Sequence, residues 1–232
     1  VLNGYLVCFV ILNTLLIHVP LLVALIAADE VAGEANMGTL RLLVSKPISR
    51  TQLILVKFAA SVIYVVLLLL WMAILALLMS IIIFGTNDMV VLRSNSFHQM
   101  QADDVLWRYF MAFAYATAAM STVAALSLLL SVFAENAVGP IVATISIVIV
   151  LTILSEMNIP LYDKTVKPYL FTSHMVAWKG FFYVKSTGDG ETIKGSIENL
   201  PAIGRSFAIL VIYMILFVGT TIVSFRKKDI LS

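Results

Sequence analysis

Few side chains in this sequence are placed to do chemistry, and their spacing narrows what that chemistry is. His18, His98 and His174 stand far apart and at no metal-ligand spacing, so no metal site is expected. The single cysteine, Cys8, lies inside an apolar run and offers neither a disulfide framework nor a thiolate site. No Gly-x-Ser-x-Gly nucleophile motif occurs. Nor is there a Gly-x-x-x-x-Gly-Lys-Ser/Thr phosphate loop, so the chain is not expected to hydrolyse ATP by itself. Asp189 falls in the turn-rich stretch Ser186 to Glu191, outside the apolar runs where an intramembrane protease needs its acid. No catalytic residue is assigned, which disfavours an integral-membrane enzyme. Two groups of polar residues remain. Asn13 and His18 stand with Pro20 in the first apolar run, where polar groups are costly and mark either a substrate path or a bond between helices. Asp29, Glu30 and Glu34 open a charged stretch that closes at Lys57.

The elements that must position these residues follow from how scarce charge is. The chain has 232 residues, 61% hydrophobic and 12% charged, with a mean hydropathy of +1.03. A soluble domain carries about twice that share of charge. The net charge of +2 gives no basic surface for nucleic acid. Five runs are free of charge, 1–28, 58–87, 109–134, 136–155 and 206–225. A helix needs about 20 apolar residues to cross the hydrocarbon of a bilayer. The expected fold is therefore one all-α polytopic membrane domain over residues 1–232, with spans near 3–28, 58–84, 109–134, 137–155 and 206–225. Spans without ionisable groups disfavour ion-coupled transport.

The basic cluster Arg226, Lys227 and Lys228 after the last span places the C-terminus in the cytoplasm by the positive-inside rule. Alternation then makes 29–57 and the Glu135 turn cytoplasmic, and 88–108 and 156–205 external. Seven Lys or Arg fall in about 38 inside residues against eight in about 71 outside, which agrees in density. An external N-terminus without the basic region of a signal peptide predicts a preceding span, making six in the intact protein.

The stretch from Ala28 to Lys57 is the most informative. Gly38 permits a break in the chain, Leu40, Leu43, Val44 and Ile48 recur at helical spacing, and Pro47 ends that short helix. Ser49 and Gln52 then have the form of a capping box before the next apolar run. In its order of Glu34, Gly38-Thr39-Leu40, Leu42-Leu43, Pro47-Ile48-Ser49-Arg50 and Lys57, the segment resembles the cytoplasmic loop of type-2 ABC exporter permeases. The match covers about 24 residues with spacing kept, and the rest of the chain agrees in layout only. The resemblance implies a permease of six spans that pairs as a homodimer or heterodimer in a bacterial or archaeal cytoplasmic membrane and exports a substrate along the dimer interface. A separate cytosolic ABC ATPase would drive it, with ATP and Mg on that partner and no cofactor on this chain. It also implies that Glu34, Gly38, Thr39, Leu40, Leu43, Pro47, Ser49 and Arg50 form the contact that couples the two. On the residues alone, an amphipathic helix lying on membrane lipid fits as well. A non-transporting scaffold or sensor subunit is the alternative function.

Three further elements can be read. Small residues crowd 112–125, which predicts a third span buried by close helix packing, while Leu67 to Trp71 predict a lipid-facing second span. Glu135 is expected to cap the helix that follows it or to touch the ATPase. Phe171, Met175, Trp178 and Phe182 fall on one helical stripe, predicting an external helix with its aromatics either at headgroup depth or packed on protein.

Overall fold

The structure is a computed structural model and describes residues 3–45, 48–86, 88–93, 96–157, 165–185 and 193–228. Pro47 and the Ser186 to Glu191 turn lie outside them. Five helices are long and apolar enough to cross a membrane: α1 (Gly4–Asn36), α3 (Arg50–Phe84), α4 (Leu106–Val132), α5 (Val138–Glu156) and α7 (Leu200–Lys227). The short α2 (Thr39–Val44) joins α1 to α3. At the opposite end, β1 (Met89–Arg93) and β2 (Ser96–Met100) pair antiparallel, with Met89 opposite Met100, and α6 (Phe171–Met175) runs into a 3-10 segment over Val176–Phe182. The spans are helical as expected. The hairpin is an addition that the run of charged and polar residues after Phe84 did not announce.

The centre of the bundle is α4. Ala112, Ala116, Ala119, Ala124 and Ala125 are buried along it, and α1 and α7 pack on it most extensively. Side chains this small let helices approach closely in lipid, where packing drives association. By contrast α3 leaves Leu67, Leu70 and Trp71 more than half exposed, as a lipid-facing helix does.

Helix ends explain where the elements begin and stop. Asn3 caps α1 by accepting from the Leu6 amide (2.8 Å), and the Gly4 amide donates to the Gly85 carbonyl at the end of α3 (3.0 Å). A Cβ on Gly4 would come within 2.6–2.9 Å of the Ser80 and Gly85 carbonyls and the Ile81 Cα, all backbone, so this approach requires glycine. The other end of α1 extends beyond the charge-free run. No proline occurs between Ala28 and Gly38, and the helix absorbs Gly33 and runs through Asp29, Glu30 and Glu34 to Asn36. It stops where Gly38 takes φ +72°, a left-handed conformation that makes the break its glycine permits.

The aromatic stripe of 171–182 faces protein. Phe171, Trp178 and Phe182 are buried, Phe9 and Tyr109 meet Phe182 edge-on at 5.0 and 4.9 Å, and Phe171 packs on Tyr213 and Phe217. The single amphipathic helix is replaced by one α turn and a 3-10 segment. Gly180 there lies so close to α7 that a Cβ would reach the Ile203 Cδ1 at 2.9 Å. Glu135 caps nothing: α5 starts after Ala137 without a side-chain cap, and the Asn136 side chain takes up the Gly139 amide at 3.4 Å.

Candidate functional site

The residues from Glu34 to Arg50 gather at the α2 end of the bundle, but they do not share one surface. Glu34 is on α1 and faces α3, where the Lys57 ammonium lies 2.7 Å from Glu34 Oε1 and 3.6 Å from Glu30 Oε2. Lys57 also donates to the Glu30 carbonyl, and only 8% of its side chain is exposed. A buried cation is tolerable only when paired and hydrogen-bonded in this way. The two charges that bracket the motif in sequence thus lock the ends of two spans together. Among the described residues, Glu34 Oε2 is buried without a hydrogen-bond partner, and the ion pair runs through the other carboxylate oxygen.

The loop between them is built in layers. Thr39 Oγ1 donates to the Glu34 carbonyl at 3.3 Å, tying the first turn of α2 to the end of α1. Leu40 is buried with Val31, Ile54, Leu128, Val132 and Phe225, and Leu43 is half-buried. Ser49 caps α3 as anticipated: its Oγ accepts from the Gln52 amide at 3.2 Å, and Gln52 Oε1 accepts from the Ser49 amide at 3.2 Å. Arg50 turns toward α7, donating through Nη1 to the Arg226 and Lys228 carbonyls at 3.0 and 2.7 Å. A cation at a helix C-terminus meets unpaired carbonyls and the negative end of the macrodipole. Lys228 does the same for α4, donating to the Val132 carbonyl at 2.7 Å. Leu40 and Arg50 therefore hold the segment to the bundle. Among the described residues of this stretch, the exposed positions include Met37, 67% exposed, and Ile48, 47% exposed, together with Asn36, Gly38, Ser45 and Ser49. Met37 carried no signal in the sequence beyond its place beside the glycine.

Behind this loop, Ser131 on α4 stands inside the hydrogen-bond ladder of α1. Its Oγ donates to the Ala28 carbonyl (2.6 Å) and accepts from the Ala32 amide (2.8 Å). Insertion of a side chain into the i to i−4 ladder is a recognised place for a helix to bend.

The hairpin end holds a second charged cluster. Arg108, fully buried, lies 2.6 Å from Asp104 Oδ2 and donates to the Phe181 and Ser196 carbonyls at 2.7 and 2.8 Å. Trp107 and the Gly195 amide complete the shell of Asp104 at 2.7 and 3.2 Å. Sequence reasoning took Arg108 only as a boundary; the i, i+4 spacing from Asp104 was the signal that would have paired them. Lys194 bonds Asp103 at the surface, which holds its ammonium above the ordinary lysine value.

Asn13 and His18, read as one group, part company. His18 is exposed and its Nδ1 bonds the Thr14 carbonyl of its own helix at 3.0 Å, which makes Nδ1 the protonated nitrogen. Asn13 lines a groove of about 450 Å³ walled by α1, α4, α5 and the 171–182 segment. Trp178 and Met175 reach into it, with Glu156 and Lys179 also on its wall. A second groove, of about 530 Å³ between α3 and α4, is almost wholly apolar. Among the described residues, no three histidine, cysteine or carboxylate side chains come together as metal ligands.

One family model, described as a protein of unknown function (DUF2705), matches residues 2–231. A search of curated proteins returned no match.

Proposed function

The chain belongs to the DUF2705 family of proteins of unknown function, and from the geometry of its α2 end we propose that it is the membrane-spanning permease subunit of an ATP-driven exporter. One observation carries the reading. A short helix that follows a left-handed glycine packs through Leu40 on four spans, and the residues flanking it, Met37 and Ile48, are exposed at one end of the bundle. Exposed apolar side chains on a firmly held loop suit a protein contact. The residues also keep the order of the exporter motif, from Glu34 through Gly38-Thr39-Leu40 to Lys57.

In this reading a cytosolic ATPase seats on Met37, Gly38 and Ile48, with ATP and Mg on that partner. Its movement is passed through α2 to the ends of α1 and α3, which the Lys57 and Glu34 pair holds as a unit. A second permease subunit completes the path, the α2 end faces the cytoplasm of a bacterial or archaeal cell, and the hairpin end is external. Glu34, Leu40, Ser49 and Arg50 act as positioning residues for that contact rather than as its surface.

The test is to ask whether a P-loop ATPase is encoded beside the chain, express the two together, purify through a tag on this chain, and measure hydrolysis in lipid nanodiscs. Met37→Asp and Ile48→Asp should each lower the amount of ATPase recovered while leaving the permease inserted. Unchanged recovery and hydrolysis in the double variant would reject the assignment.

A further inference from the structure

The groove that Asn13 lines is graded in polarity along its length. On α1 its wall runs from Asn13 through Leu16 and Pro20 to Leu21, and on α5 from Glu156 through Thr152 to Val148. Each stretch covers nine residues, eight steps or about 12 Å of helix at about 1.5 Å per residue. The groove is thus close to the depth of one leaflet, about 15 Å when the hydrocarbon core is about 30 Å. The hairpin end of the groove is polar and the deep end is apolar.

Two opposite charges stand at the polar end. Glu156 ends α5 and Lys179 lies on the 3-10 segment across the groove. Among the described residues no ion pair joins them, and neither side chain has a hydrogen-bond partner. Below them the Asn13 amide, half-buried in a wall otherwise of Leu, Ile and Pro, is also without a partner among the described residues. An amide in hydrocarbon surroundings costs free energy unless it is hydrogen-bonded. Groups of both signs above an amide, set on three walls of one groove, form the complement of a particular molecule. It carries a cation and an anion in its head, a carbonyl beneath the head, and a hydrocarbon tail.

We propose that this groove binds one phospholipid with a zwitterionic ammonium and phosphate head, the ammonium on Glu156 and the phosphate on Lys179. The ester carbonyl accepts from Asn13, and one acyl chain lies along Leu16, Pro20 and Val148. Trp178 and Met175 close over it at headgroup depth, where an indole is favoured. The site stands apart from the export reading: a scaffold or sensor with the same groove would hold the same lipid.

Native mass spectrometry of the full chain released from detergent micelles tests it. The probes are dioleoyl phosphatidylethanolamine, the anionic dioleoyl phosphatidylglycerol, and free phosphoethanolamine as competitor. The wild type should retain one phosphatidylethanolamine per chain at about fivefold preference over phosphatidylglycerol, as expected for one added charge contact near the membrane surface. Glu156→Gln should erase the preference and Glu156→Lys reverse it. Lys179→Gln and Asn13→Leu should lower retention of both lipids. Glu156 and Lys179 have no partner to lose, so thermal unfolding in the absence of added lipid should stay unchanged and separate binding from folding. Equal retention of the two lipids by the wild type, or an unchanged preference in Glu156→Lys, overturns the proposal. Displacement by free phosphoethanolamine at the lipid's own concentration would show that the head alone is bound and overturn the lipid assignment.

Discussion

Replacing Arg108 with methionine probes the hairpin-end cluster most directly. The guanidinium makes two bonds to the Asp104 carboxylate and one to each of the Asp104, Phe181 and Ser196 carbonyls, and it is fully buried. Methionine fills much of the volume but leaves the Asp104 charge, itself 4% exposed, supported only by Trp107 and the Gly195 amide. Removing one partner of a buried pair costs about 3–5 kcal/mol. For a chain of this size each kcal/mol lowers the unfolding midpoint by about 2–4 °C, so the variant should melt roughly 6–20 °C lower. The assay is the loss of the monodisperse peak after heating in detergent, which does not depend on the Trp107 ring stacked 4.7 Å from the guanidinium. Arg108→Lys should recover only part of the loss, because an ammonium cannot reproduce the two-sided fork. Asp104→Leu added to Arg108→Met should lie above Arg108→Met alone, since it removes the stranded charge. A shift under about 3 °C for Arg108→Met, on the same scale of about 2–4 °C per kcal/mol, would refute the reasoning. So would a double variant that melts below the single one.

Two further outcomes are expected. Lys57→Met strands Glu30 and Glu34, which keep 19% and 26% exposure, so water softens the loss to about 1–3 kcal/mol; the exchanged pair Glu34→Lys with Lys57→Glu should regain part of it in the same melting assay. A cysteine at Ser45 should be shielded from a membrane-impermeant thiol reagent in intact cells while one at Ile193 reacts, both positions being exposed; the opposite pattern would invert the orientation.

The spans were legible because hydropathy acts over whole helices: an α4 crowded with alanine reads as buried, and an α3 rich in leucine with Trp71 reads as lipid-facing. The capping box at Ser49 and the break at Gly38 were legible because their causes are local, a side-chain oxygen within reach of an amide and a φ of +72°. Lys57 and Glu34 are separated by a loop and a helix, and nothing local told that they meet. The same holds for Arg50, whose partners are the carbonyls of Phe225, Arg226 and Lys228. The stripe of Phe171 to Phe182 had the right period for a helix, but the close approach of Gly180 to Ile203 and the bond from Arg108 to the Phe181 carbonyl select a 3-10 path. Asn13 and His18 look alike in sequence; which one meets a groove depends on where α5 packs.

The bonds from Arg50 and Lys228 also have a bearing on biosynthesis. A chain is made from its N-terminus and inserts span by span. Arg50 reaches the membrane early, yet its acceptors are the carbonyls of Phe225, Arg226 and Lys228, and the donor for the Val132 carbonyl is Lys228. Until those last residues emerge, the end of α4 lacks its cation and Arg50 lacks its carbonyls. The loop around Met37 and Ile48 therefore gains these bonds only when translation has passed Lys228, so a nascent chain stalled inside α7 carries the loop without them.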